Sequence, residues 1–220
     1  MKKLKILSVI LTFSLILSLS TFSYGCENKQ TLAPFVTEVQ SIVMQGENDT
    51  HKLKAVYGYK TENGARAYYL TVKLLEKHTD NATYTLNFDY ADKSYSVNFT
   101  LNPVTNTLTA KVRLDGFNEN SLSVKVTASS SSHQITLNSI IPENACDYVT
   151  AVDSLFVSQP ALIDLYRDEY GNFNGSIHAR ILVKNDKPYW YIGLINANGN
   201  EKALLVDAIS LEVLAIRDIF

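Results

Sequence analysis

The stretch Asn185–Phe220, NDKPYWYIGLINANGNEKALLVDAISLEVLAIRDIF, holds three apolar runs separated by turn residues. Pro188–Asn196, Lys202–Asp207 and Val213–Arg217 are short runs bounded by turn chemistry, and they predict three strands. Asn185-Asp186-Lys187 and Ala197-Asn198-Gly199-Asn200 are hairpin loops, so the strands should form an antiparallel meander. Successive side chains of a strand point to opposite faces, so Tyr189, Trp190 and Tyr191 cannot share one buried face. One side of that strand is therefore a structural anchor. The other is the expected partner surface, because exposed Tyr and Trp offer rigid contact area at low entropic cost.

Working back along the chain, Ile177–Lys184 reads as a further strand, and Ser158–Gly171 as a helix. Ser158 can cap that helix, Pro160 suits its first turn, and Gly171 suits a left-handed stop. Leu162, Leu165 and Tyr166 give it one apolar face for the sheet. Tyr148–Val152 reads equally as a strand or as the start of a helix.

The aromatic strand at Tyr189-Trp190-Tyr191, followed by Val206-Asp207-Ala208 and Glu212-Val213-Leu214, resembles the C-terminal half of the PepSY domain. That small extracytoplasmic module occurs beside peptidases and within their propeptides. The resemblance covers about Cys146–Phe220 and implies a helix packed on an antiparallel meander, with an extracellular peptidase as the implied kind of partner. Asp207 and Glu212 are its motif residues. An Asp at a strand end can also accept hydrogen bonds from the amides of the following turn. Leu211 stands where the family usually has glycine.

From Thr31 to Ile141 period-two alternation recurs. Tyr68, Leu70, Val72 and Leu74 fall on one face, as do Tyr84, Leu86, Phe88 and Tyr90, then Tyr95, Val97, Phe99 and Leu101. Glu62-Asn63-Gly64, Ala91-Asp92-Lys93 and Asp115-Gly116 supply turns at regular spacing. Seven or eight short strands suit an immunoglobulin-like two-sheet sandwich, with a small barrel as the alternative. Pro142-Glu143-Asn144 closes the last strand. The chain thus divides into a leader at 1–25, a β-sandwich domain at 26–142 and a PepSY-like α+β domain at 143–220: mainly β, in two domains.

The leader has a basic start, Met1-Lys2-Lys3-Leu4-Lys5, an apolar run from Ile6 to Leu19 and a small-residue exit before Cys26. The apolar run is shorter than the ~20 residues a spanning helix needs. The expected location is extracytoplasmic, secreted or at the cell surface. Cys26 has three readings: a lipid-anchor site, a disulfide partner of Cys146 (the second of the two cysteines), or a reduced thiol.

The 220 residues are 46% hydrophobic and 19% charged with a net charge of −2, which argues against disorder and against an electrostatic nucleic-acid footprint. His51, His78, His133 and His178 are scattered and form no metal-binding spacing. The serine run Ser129–Ser132 beside His133 lacks a nucleophile elbow and reads as a loop. Asp168 and Glu169 read as solvent-facing. No catalytic residue, cofactor or metal is expected. The expectation is a non-catalytic interaction module that contacts a protein partner, with a carbohydrate- or wall-binding protein using sandwich tyrosines as the alternative.

Overall fold

The computed structural model describes residues 31–75, 83–103, 105–128 and 131–219. Cys26, His78 and the serines at 129 and 130 lie outside the described residues. Strand β1 (Val36–Glu47) follows a single 3-10 turn at Ala33–Phe35. It leads through β2 (Lys52–Glu62), β3 (Ala65–Leu74), β4 (Tyr84–Tyr90), β5 (Lys93–Asn98), β6 (Thr100–Asn102), β7 (Thr107–Arg113) and β8 (Ser121–Ala128) to β9 (Ser131–Ser139). Three hairpins turn on residue pairs with positive φ: Asn63-Gly64, Ala91-Asp92 and Asn185-Asp186. That backbone matches the right-handed twist of the flanking strands, so these turns set the register directly.

The first nine strands run in two series of hydrogen-bonded neighbours, β1-β2-β3-β7-β6 and β9-β8-β4-β5. They are joined at both margins into a nearly closed barrel. At one margin the chain bends at the buried Phe99, so β5 pairs with β4 while β6 pairs with β7. At the other, Met44 and Gln45 of β1 pair with Ser139 and Asn138 of β9. The enclosed core includes Leu53, Leu70, Val72, Leu86, Val126 and Leu137.

Beyond Pro142 come three short helical pieces, α1 (Tyr148–Asp153), α2 (Leu155–Ser158) and α3 (Pro160–Asp164). This corrects the expected helix over Ser158–Gly171. Asp147 caps α1, accepting from the Thr150 amide at 2.7 Å. Pro160 lacks an amide proton and ends the run through Ser158. Further on, the Asp168 carboxylate takes the amides of Tyr170 and Asn172 at 2.9 and 2.8 Å, closing a turn where a helix would have continued. Gly171, with φ of +81°, belongs to that turn.

The meander follows as β10 (Gly175–Lys184), β11 (Lys187–Asn196), β12 (Glu201–Asp207) and β13 (Val213–Ile219), all antiparallel neighbours. A second core lies between it and the helices, with Val152, Leu155, Ile163, Ile177, Trp190, Ile192 and Leu204. Leu32–Phe220 form one compact unit because β10 pairs in parallel with the first half of β1. The point after Pro142 does not separate the two cores: Leu32, Val36, Val39, Val43 and Tyr59 belong to the helix-side core, and the sheet itself passes across that point.

Tyr68 packs against both cores, near Tyr57 on one side (ring centroids 6.1 Å apart) and Tyr59 on the other (5.5 Å). Both cores lie on the same face of the continuous sheet: Tyr59 opposes Val39 and Tyr68, and Tyr57 follows two residues earlier.

Two outcomes are expected. Trp190→Ala should cost about 3–5 kcal/mol, the range for large aromatic deletions in a core, read by denaturant unfolding. A protease site placed within residues 142–146 should yield two pieces that still co-elute under native conditions, because β1 is hydrogen-bonded to strands from both. Separation of the pieces without denaturant would contradict this sheet.

Candidate functional site

Alternation resolves the aromatic triplet. Trp190 is 1% exposed, and its indole Nε1 donates to the Cys146 carbonyl at 3.0 Å, pinning the segment before α1 to the sheet. Tyr189 and Tyr191 point to the opposite face and are half-exposed. Cys146 is half-buried, and burial pushes its thiol pKa up, the direction of an unreactive thiol.

Asp207 ends β12 and closes the turn beyond it. Its Oδ1 accepts the amides of Ile209 and Ser210 at 2.8 and 2.9 Å, and these bonds hold the carboxyl below its ordinary value of 3.8. Its amide donates to the Glu212 carbonyl at 2.9 Å, while the Glu212 side chain is exposed. Leu211 adopts φ of +64°, so the left-handed turn forms without glycine. Packing of its half-buried side chain against the helix-side core offsets the backbone cost, which is of order 1 kcal/mol or more for a non-glycine residue.

Around Tyr191 the face turned away from both cores carries a polar group of residues that the sequence reading did not collect. The Tyr191 hydroxyl donates to Glu201 Oε1 at 2.7 Å, and its pKa is pushed up to about 12, by burial first and then by that bond. Glu201 lies over Gly193, where a Cβ would collide with its carboxylate. Arg180 donates to Glu38 Oε1 through Nε and Nη2 at 3.1 and 2.8 Å. His178 sits opposite Glu38 on β1 and Gly193 on β11.

Beyond Glu38 the same face opens into a depression of about 330 Å³, lined among others by Gln40, Gly58, Lys60, Tyr69, Thr71, Lys73 and Lys111. Gly58 makes it. A Cβ there would collide with the Val39 carbonyl oxygen, so only glycine lets β1 approach, and a gap is left between Gln40 and Tyr69. The Lys111 ammonium sits 3.7 Å from the Tyr69 ring centroid.

On β2 the aromatic residues turn inward. Tyr57 and Tyr59 are buried, with the Tyr59 hydroxyl donating to the Val36 carbonyl and the Phe117 amide donating to the Tyr57 hydroxyl. His51 and His133 meet edge to face with centroids 5.1 Å apart. Among the described residues no group of three or more His, Cys, Asp or Glu side chains could hold a metal ion, and no helix is long and apolar enough to cross a membrane. Asp168 and Glu169 lie in the turn after α3, the latter exposed. Outward positions of β2, β3 and β7 could have indicated the lysine-lined face, since Lys54, Gly58 and Lys60 share one parity and Tyr69, Thr71 and Lys73 another. Comparison with protein families, curated proteins and solved structures yields no match for this chain.

His178 gives a pH signature. Burial lowers its pKa from 6.5; Arg180 and Lys60 act the same way, while Glu38 and Glu201 oppose it. A base with a depressed folded pKa binds fewer protons folded than unfolded, so its contribution is whole above pH 6.5 and is lost as pH falls below that value. The melting temperature should therefore fall more steeply on acidification from pH 7.5 to about 5.5 in the parent than in His178→Gln. Identical slopes would remove His178 as the cause.

Proposed function

We propose that the chain is an exported, non-catalytic interaction protein whose C-terminal sheet receives a protein partner on its outward face. The carrying observation is the half-exposed pair Tyr189 and Tyr191 on β11, flanked by Leu182 at 42% exposure and by half-exposed Leu205 and Ile195. Interface anchors are commonly aromatic residues set on rigid strands, where little entropy is lost on contact. The Glu201 bond already holds the Tyr191 ring in place, which lowers the ordering cost of binding. The leader-like 1–25 segment and the PepSY resemblance support an extracytoplasmic setting and an extracellular peptidase as partner. On this reading the Trp190 side supports the fold and the tyrosine side meets the partner.

A carbohydrate- or wall-binding role is the second reading. Most barrel tyrosines point inward or are half-buried, so what favours it is the depression at Gly58 with Tyr69 and its lysines.

The test uses full-length exported protein and a purified secreted peptidase from the same source, with binding measured at a sensor surface. Tyr189→Ala and Tyr191→Ala should each keep stability within about 1 kcal/mol of the parent, as other surface changes do. Each should weaken capture by roughly 30-fold if the ring is an anchor worth about 2 kcal/mol. Capture unchanged in the double variant, or no capture by the parent, would discard the protein-partner reading.

A further inference from the structure

The outward face of β2, β3 and β7 gathers four lysines; Lys60 lies opposite Glu38 of β1, whose carboxylate Arg180 already engages. Lys60, Lys73 and Lys111 line the depression at Gly58, and Lys54 lies directly opposite Lys73 across the β2–β3 pair. Like charges placed opposite one another on neighbouring strands are destabilising. Neighbouring strands are ~4.8 Å apart, so the repulsion is close-range. None of the four lysines has a carboxylate partner among the described residues. The acids at the rim are engaged otherwise, Glu38 with Arg180 and Glu62 as acceptor for the Tyr69 hydroxyl at 3.0 Å. All this sits on a chain whose net charge is −2.

We infer that this face is a binding site for an anionic polysaccharide, its carboxylates neutralising Lys54, Lys60, Lys73 and Lys111. The inference rests on the carbohydrate reading of this depression, not on the protein-partner reading, and uses a different end of the same sheet face.

The chemistry selects the ligand class. An extended peptide gains affinity at a sheet by adding a strand to an open edge; β2 and β3 have both edges paired, and β7 leaves an edge free of β6 only beside Ala110–Arg113, away from the depression's floor at Gly58. A single-stranded nucleic acid needs free aromatic faces for base stacking, and the Lys111 ammonium covers the Tyr69 ring. A sugar chain instead needs a shallow polar floor, hydroxyl and amide partners and, for an acidic one, separated point charges. Gly58 provides the floor, Thr71 and Gln40 the polar groups, and the lysines the charges. Lysine suits this role because its ammonium is a flexible point charge that follows an irregular chain.

The test titrates oligogalacturonate into the full chain by calorimetry, beside neutral maltodextrin and polyglutamate of matched charge. The inference expects oligogalacturonate to bind, maltodextrin to fail, and polyglutamate to bind at least about tenfold more weakly. Raised salt should weaken binding, since exposed charges are screened within ~10 Å at 0.1 M. Lys73→Gln with Lys111→Gln should lose about tenfold or more, as two charge-assisted contacts go. Lys73→Arg with Lys111→Arg should retain binding. The single Lys73→Gln variant, unliganded, should melt no lower than the parent, because removing Lys73 relieves the repulsion with Lys54. Failure of oligogalacturonate to bind, equal affinity for polyglutamate, or indifference to the Gln substitutions would each overturn the assignment. Tyr189→Ala and Tyr191→Ala should leave oligogalacturonate binding intact, so this site and the partner surface fail or stand separately.

Discussion

The hydrogen bonding of β1 is the constraint on which the rest of the molecule depends. One edge of β1 pairs along its length with β2. The other edge is divided: residues from Val36 to Gln40 take β10 in parallel, and Met44 with Gln45 take β9 in antiparallel fashion. The division falls at a bulge at Ser41, where Gln40 pairs with Gly58 but Ile42 pairs with Tyr57. A bulge bends a strand and increases its local twist, which lets one edge serve strands leaving in different directions. The barrel and the helix-covered meander are thereby two cores on one sheet. Backbone groups in such a junction must all find partners, so β1 cannot move without unpairing both halves.

That junction has a second consequence. Both cores take the same face of the sheet, which leaves the other face to be built from side chains alone. Near β11 it carries tyrosine hydroxyl, carboxylate and guanidinium groups locked in pairs, with Gly193 and Ala203 giving room beneath them. Near β3 the same face carries ammonium groups that have no carboxylate partner among the described residues, around a gap produced by Gly58. The two ends therefore differ in kind. One is preorganised and partly apolar; the other is open and rich in lysine. Both follow from the close approach of β1 to β2 and from the absence of a covering layer among the described residues.

Within the C-terminal half the anchoring is equally specific. Trp190 reaches the Cys146 carbonyl, and the Cys146 amide donates to the Ala208 carbonyl at 2.7 Å, so the entry to α1 is tied to both β11 and the turn after β12. The Tyr166 hydroxyl donates to the Leu194 carbonyl at 3.1 Å and holds the end of the helical segment to β11. The Leu32 amide donates to Asp153 Oδ1 at 2.7 Å, which fixes α1 against the chain leading into β1. Each bond satisfies a backbone or side-chain polar group at a partly or fully buried position.

What the amino-acid order determined by itself was local. Alternation placed Trp190 and its flanking tyrosines on opposite faces, Asn63-Gly64 and Asn185-Asp186 marked their hairpins, and Asp207 stood where a strand turns. Each of these is decided within a few residues by sterics and hydrogen-bond reach. Strand β1 escaped that logic because the bulge at Ser41 shifts its apolar residues off a two-residue period, so Val36, Val39, Val43 and Met44 show no simple pattern. The helix was misplaced because Asp168 competes for amides that a helix would have used, and a side-chain cap of that kind is settled by the local fold. Only the tertiary structure decided that the two halves share a sheet, that the tyrosines of β2 face inward, and that lysines from β2, β3 and β7 meet around Gly58. Those outcomes rest on pairings between residues as much as 142 positions apart, such as Glu38 with Arg180, and contacts at that separation leave no periodic trace in the chain.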